Sequence, residues 1–160
     1  MIRIHRETNA PICIHTAAGE ERGLDALRVL EEEGIDPRRV MLAHCGDSTD
    51  LDYLEKLAPS GALLGFDRFG LNILLPFEER VGTVVAMCER GYADRMILSQ
   101  DANCFSDWFP PGLSEQVSPN WHFQHVLQDV VPALLERRVP QEDVDKMLRH
   151  NPQRFFEQGR

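Results

Sequence analysis

Four short apolar runs punctuate this sequence, separated by segments of helical period, and no other feature restricts its fold as much. The runs are Pro11-Ile12-Cys13-Ile14-His15, Val40-Met41-Leu42-Ala43-His44, Ala62-Leu63-Leu64-Gly65-Phe66 and Met96-Ile97-Leu98-Ser99. Each has the length of an ordinary strand. Between them, Ala26, Val29 and Leu30 share one helical face, with Gly34 as its stop. Leu51, Leu54 and Ala58 line a second face, with Ser48 or Thr49 as the expected N-cap. Val81, Val84, Val85 and Cys88 form a third stripe that ends at Gly91. After the last run, Leu127, Val130, Val131 and Leu134 repeat the pattern; residues 141–150 read as a final short helix and residues 2–8 as a leading helical stub. Strands alternating with helices predict a parallel α/β sheet, doubly wound or part of a barrel. No glycine-rich loop of the GxGxxG or GxxxxGKS type follows any run, which weakens the nucleotide-binding version.

Composition narrows the function. The 160 residues carry 26 acidic and 17 basic side chains, a net charge of −9. That balance argues against a nucleic-acid surface, which needs clustered Lys and Arg. It does not exclude a metal site, since carboxylates attract divalent cations. No apolar run approaches the ~20 residues that span a bilayer, so no membrane partner is expected. Cys13, Cys45, Cys88 and Cys104 are far apart, with no CxxC pairing. With no export signal at the amphipathic start, reduced thiols and a cytoplasmic location are the simplest expectation.

The polar residues at the ends of the runs carry the chemistry. Three runs lead into a residue able to bind a metal: His15, His44 and Asp101. In a (β/α) barrel that end is the active-site face. Side chains two apart share a face of a strand. His15 is thus expected in phase with Cys13 and Pro11, His44 with Leu42 and Val40, and Asp101 with Ser99 and Ile97. Ile14, Ala43 and Leu98 should then face the helices. Imidazole nitrogen and carboxylate oxygen are good ligands for Zn²⁺ and similar ions. A lone strand-end His is more often structural, but three such residues at equivalent positions favour a site.

Other residues have competing readings. Asp47 and Asp50 suit a helix N-terminus as well as they suit catalysis. Asp67 and Arg68, adjacent opposite charges, fit a solvated loop. Residues 105–121 form a long connection with several aromatics, either a lid or packing against the sheet. Trp108 in this stretch and Cys104 just before it, with Arg68, are candidate substrate contacts. His122, His125 and His150 lie in or near helices and read as structural or exposed.

The strings Ile14-His15-Thr16, Ala43-His44-Cys45-Gly46-Asp47-Ser48-Thr49-Asp50, Gly65-Phe66-Asp67-Arg68-Phe69-Gly70, Leu98-Ser99-Gln100-Asp101 and Asn151-Pro152-Gln153-Arg154-Phe155-Phe156 resemble, in order, the second half of phosphotriesterase-like proteins of the amidohydrolase superfamily. The resemblance implies the C-terminal half, strands five to eight with their helices, of a TIM-type (β/α)₈ barrel. It implies two divalent metal ions, zinc foremost, with cobalt, iron or manganese as alternatives. His15 and His44 match metal ligands after strands five and six. Asp101 matches the carboxylate that binds one metal and takes a proton from the bridging water, and Asp47 an acidic residue that carries that proton away. Arg68 stands where lactonase-type members have arginine, so the implied substrates are lactones, with slower organophosphate ester hydrolysis. Gln100 departs from the usual histidine or asparagine and is expected to face away from the axis. The family's His-x-His pair and carboxylated lysine have no counterpart here, so the chain is expected to be a fragment or a truncated product, inactive alone. The rival expectation is a non-catalytic half-barrel completed by a partner or a homodimer, since an open sheet leaves its edges unpaired.

Overall fold

The computed structural model describes residues 1–105, 107, 110 and 112–157. Its sheet has four parallel strands, β1 (Ile12–His15), β2 (Val40–Ala43), β3 (Leu63–Phe66) and β4 (Met96–Leu98), paired in the order β1-β2-β3-β4. β1 runs beside β2 from Ile12↔Val40 to His15↔Ala43, and Phe66 of β3 sits opposite Leu98 of β4. β1 and β4 are therefore the two edges. The helices are α1 (Ile2–Thr8), α2 (Arg22–Glu32), α3 (Leu51–Leu57), α4 (Phe77–Glu89), α5 (Leu113–Val117), α6 (Val131–Glu136), α7 (Gln141–Asp145) and α8 (Asn151–Glu157). This is an α/β half-barrel, as the alternation of elements predicts.

The core lies between the sheet and the helices. Val40, Leu42, Leu64 and Met96 are sealed on the helix side of the strands, against Leu54, Leu57, Val81, Val84 and Met87. Burying such side chains contributes roughly 1.5–3 kcal/mol each. The opposite face carries Cys13, Met41, Ala43 and Ile97, which line an open cavity.

Some local expectations are corrected. α3 is capped by Asp50, which accepts the Tyr53 N–H at 3.0 Å, and not by Ser48 or Thr49. Val29 is exposed, because the buried stripe of α2 runs through Gly23 and Leu30 and Val29 is turned about 100° from Leu30. The last two helical regions are longer than the apolar periodicity suggests. Wide π turns at Val126–Val130 and Lys146–His150 lead straight into α6 and α8. Each ends just before a proline, Pro132 or Pro152, whose missing N–H breaks the regular ladder. The first π turn also rotates the stripe, so Val126, Val130 and Leu134 are buried while Leu127 is exposed. α8 is fastened to the start of β4 by the buried Asn151, whose Nδ2 donates to the carbonyls of Ala93 (2.9 Å) and Met96 (2.7 Å).

Candidate active site

The C-terminal ends of the strands open into a cavity of about 630 Å³. Among its lining residues are Cys13, His15, His44, Asp67, Ser99 and Asp101. His15 and Asp101 arrive in the expected phase, beside Cys13 and beside Ser99 and Ile97. His44 does not. Val40 and Leu42 point into the core, while Met41 and Ala43 face the cavity. A continuing strand would send residue 44 to the helix side. His44 instead adopts a left-handed backbone, φ +67°, which turns its ring back towards the axis. Asp101, beyond the end of β4, also has a positive φ, +54°. Non-glycine residues seldom occupy this region, and such strain is retained where surrounding structure over-determines it.

What over-determines His44 is Asp67. One carboxylate oxygen, Oδ1, accepts the backbone N–H of His44 at 2.8 Å and lies 3.0 Å from its Nδ1. Both side chains are nearly sealed, at 8% and 11% exposure. Asp67 thus holds the Nδ1 proton and leaves the Nε2 lone pair free. Gly65 makes the space, because a Cβ there would meet the Asp67 Oδ2 at 2.6 Å. The reading of Asp67 and Arg68 as a solvated loop is therefore corrected: Asp67 is buried and Arg68 is only 13% exposed. A charged pair adjacent in sequence gave no sign that its members face different partners.

His44 Nε2 faces His15 Nδ1 at 3.0 Å. With Nδ1 of His44 protonated, its Nε2 accepts and the His15 ring donates. These are the two nitrogens that a cation would replace the shared proton to reach. The donor set fits a divalent metal: two imidazoles, one fixed by a carboxylate behind it, in a cavity that also holds Asp101. Burial, then the nearby Asp67 and Asp101 carboxylates, push the Cys13 thiol up, which marks a negative field inside the cavity. Asp101 is less tightly gathered. Among the described residues, the trio whose ligand atoms all lie within 4.8 Å of one another is His122, His125 and Asp129, at the foot of the long connection. There the buried His125 ring is held by Asp129, Nδ1 to Oδ2 2.8 Å.

Asp101 is engaged by Arg68, whose Nε lies 3.4 Å from Asp101 Oδ2. The same guanidinium donates through Nη1 to Asp47 Oδ2 at 2.9 Å. Asp47 is therefore brought to the site and does not cap a helix. Arg80, a residue the sequence did not single out, closes on Asp47 from behind, Nη1 to Oδ1 2.7 Å. Its only sequence signal is a basic residue in an otherwise apolar helical stripe.

Cys104 sits in a separate groove of about 380 Å³ with Asn103, Phe105, Trp121 and His122. Trp108 lies outside the described residues. Gln100 faces away from the axis as expected, its Nε2 donating to the Phe123 carbonyl at 3.1 Å. Its own carbonyl accepts the Trp121 indole N–H at 2.8 Å, which ties the long connection to the end of β4. Gly70 provides a second tie. It has φ +97°, and a Cβ there would lie 2.8 Å from the Asn120 carbonyl carbon and from Trp121 Cα. Gly70→Ala is expected to lower stability by at least ~2 kcal/mol and to change Trp121 fluorescence. An unchanged melting temperature would show that the two loops are not packed in this way.

Residues 1–156 match the model of the phosphotriesterase family. The "Phosphotriesterase homology protein" of Mycobacterium tuberculosis is 51% identical over 153 residues, covering 96% of this chain and 47% of that protein. The "Aryldialkylphosphatase" of Saccharolobus solfataricus is 34% identical over 154 residues, 95% of this chain and 49% of its own length. The solved structure of the phosphotriesterase from M. tuberculosis superposes with a TM-score of 0.95 at 50% identity, covering 98% of this chain and 48% of that one. An organophosphorus hydrolase from Deinococcus radiodurans gives 0.84 at 32% identity, covering 97% and 48%. The chain spans about half the length of the curated relatives it matches.

Proposed function

The chain belongs to the phosphotriesterase family, and from that premise we propose that it supplies the C-terminal half of a metal-dependent hydrolase of lactones, with slower action on organophosphate esters. The observation that carries this reading is the facing pair His15 Nδ1 and His44 Nε2, 3.0 Å apart, with Asp67 behind His44. His15, His44 and Asp101 would hold two divalent cations, zinc first among them, together with ligands from a complementing half. Bound there, such ions lower the pKa of water and polarise a carbonyl or phosphoryl oxygen.

The chain's own residues do the rest. Asp101 accepts the proton of the attacking water as general base. Asp47, held on the other side of Arg68, then receives that proton by way of solvent and passes it outward. Arg68 does not relay it, since a guanidinium stays protonated at any working pH. It holds the two carboxylates in line, and its contact with Asp101 puts it beside the cavity that substrate would enter. The unpaired edges of β1 and β4 favour completion of the barrel by further strands, from the same chain, a partner or a second copy.

Arg68→Ala is the direct test. In a complete, metal-loaded barrel it is expected to lower lactone turnover about tenfold, a fraction of what misplaced catalytic groups cost. Metal content should stay as it was. Unchanged kinetics across a panel of lactones would remove Arg68 from the site, and an absence of bound metal in the parent would overturn the reading as a whole.

A further inference from the structure

We infer that Arg80 is a positioning residue for this reaction, a buried cation that fixes the Asp47 carboxylate in its place beside Arg68. Arg80 belongs to α4, in the outer helical layer, yet only 1% of its side chain is exposed. A guanidinium so deeply buried is unfavourable unless its donors and its charge are both met. Its donors go to main-chain carbonyls: Nη1 to Gly46 (2.8 Å), Nε to Leu75 (3.2 Å) and, at the limit of a hydrogen bond, Nη2 to Leu71 (3.5 Å). Its charge goes to Asp47, 2.7 Å away.

The contact with Asp47 is electrostatic more than directional. Nη1 donates one of its hydrogens to the Gly46 carbonyl, and Asp47 Oδ1, though 2.7 Å from Nη1, has no well-formed hydrogen bond. The two oxygens of Asp47 are thus divided between two cations, Oδ1 to Arg80 and Oδ2 to Arg68. The result is a row of alternating charge, Arg80–Asp47–Arg68–Asp101, running from the helical layer to the cavity. Carbonyl bonds alone would serve a structural arginine. Here the arginine also braces the loop after β2 against the loop after β3, through Gly46 on one side and Leu71 and Leu75 on the other. Without it, Arg68 becomes the sole cation for two carboxylates, and Asp47 is free to turn. The inference rests on the reading of Asp47 as the outward proton acceptor, and the test separates the two.

The experiment is a double-mutant cycle in the complete, metal-loaded barrel. Asp47→Asn alone should lower kcat. Arg80→Met alone should lower kcat about tenfold, in line with a small displacement of a catalytic group, with KM and metal content near the parent's. In the Asp47→Asn background, Arg80→Met should lower kcat no further, although it lowers Tm by a similar amount in both backgrounds. A crystal structure of Arg80→Met should show the Asp47 carboxylate out of contact with Arg68. Equal kcat losses in both backgrounds would overturn the role of Arg80 while leaving that of Asp47 standing. A silent Asp47→Asn would remove the role of Asp47, and with it the inference. Should Arg80→Met fail to fold, the cycle is run with Arg80→Lys, which keeps a point charge but loses the fork. Coupling of the same sign and smaller size supports the role, and additivity overturns it.

Discussion

Residues 1–160 expressed alone and loaded with zinc or cobalt are expected to hydrolyse lactones and paraoxon-like esters at least ~100-fold more slowly than the same residues in a complete barrel. The candidate ligands stand on one side of an open cavity. His15 sits at the end of the edge strand β1, and Asp101 follows the other edge, β4, with 44% of its side chain exposed. Among the described residues, neither edge has a strand beyond it to hold the spacing between them. The resemblance implies further ligands on strands absent from these residues, so any ion bound here would lack part of its coordination sphere. A three-ligand zinc site is chemically viable, but displacements of ~1 Å cost about 10²-fold in rate. The assay compares the two proteins under identical metal loading. Comparable turnover from both would overturn the dependence on a complementing half.

Asp67→Asn is expected to weaken metal binding about 10–100-fold, the usual cost of losing the group behind a ligating histidine. The argument follows from one oxygen. Asp67 Oδ1 accepts from both the backbone N–H and the ring of His44. An amide oxygen in its place still accepts hydrogen bonds but no longer raises the basicity of the imidazole, and its NH₂ group competes for the wrong tautomer. The backbone of His44, held at φ +67°, loses part of its restraint as well. Competition with a chromogenic chelator reads the affinity directly, without reference to turnover. Asp67→Asn protein that holds metal as tightly as the parent would show that the left-handed turn alone suffices to aim His44.

The parallel sheet was legible because hydrophobic periodicity reports it in every repeat, and the phase of His15 was legible because it ends β1; Asp101 reaches the cavity from beyond β4 through a positive φ that alternation does not foresee. His44 was identified for its position but assigned the wrong phase. Alternation assumes an extended backbone, and the positive φ of His44 itself reverses the face. Asp67 was read as part of a solvated loop, and Arg80 was passed over, for another reason. Their roles depend on partners 23 and 33 or more residues away, namely His44, Gly46 and Asp47. A charge beside a charge, or one arginine in a helix, looks the same in sequence whether it is solvated or sealed. The caps and helix ends were displaced for local reasons, a side chain that competes at Asp50 and the missing amide hydrogens of Pro132 and Pro152.

The strand order β1-β2-β3-β4 has a consequence for how such a chain comes into being. Every strand pairs only with its neighbour in sequence, so no pairing within the sheet waits for a distant segment. Contacts of short sequence separation form fast, because little loop entropy is lost before they are made. The sheet can therefore grow strand by strand as the polypeptide leaves the ribosome, with each helix docking behind the strand just added. The seams that remain are the two outer edges, where His15 and Asp101 lie close by. On the proposed reading, hydrolysis would follow only once those seams close, which makes it the last event of assembly.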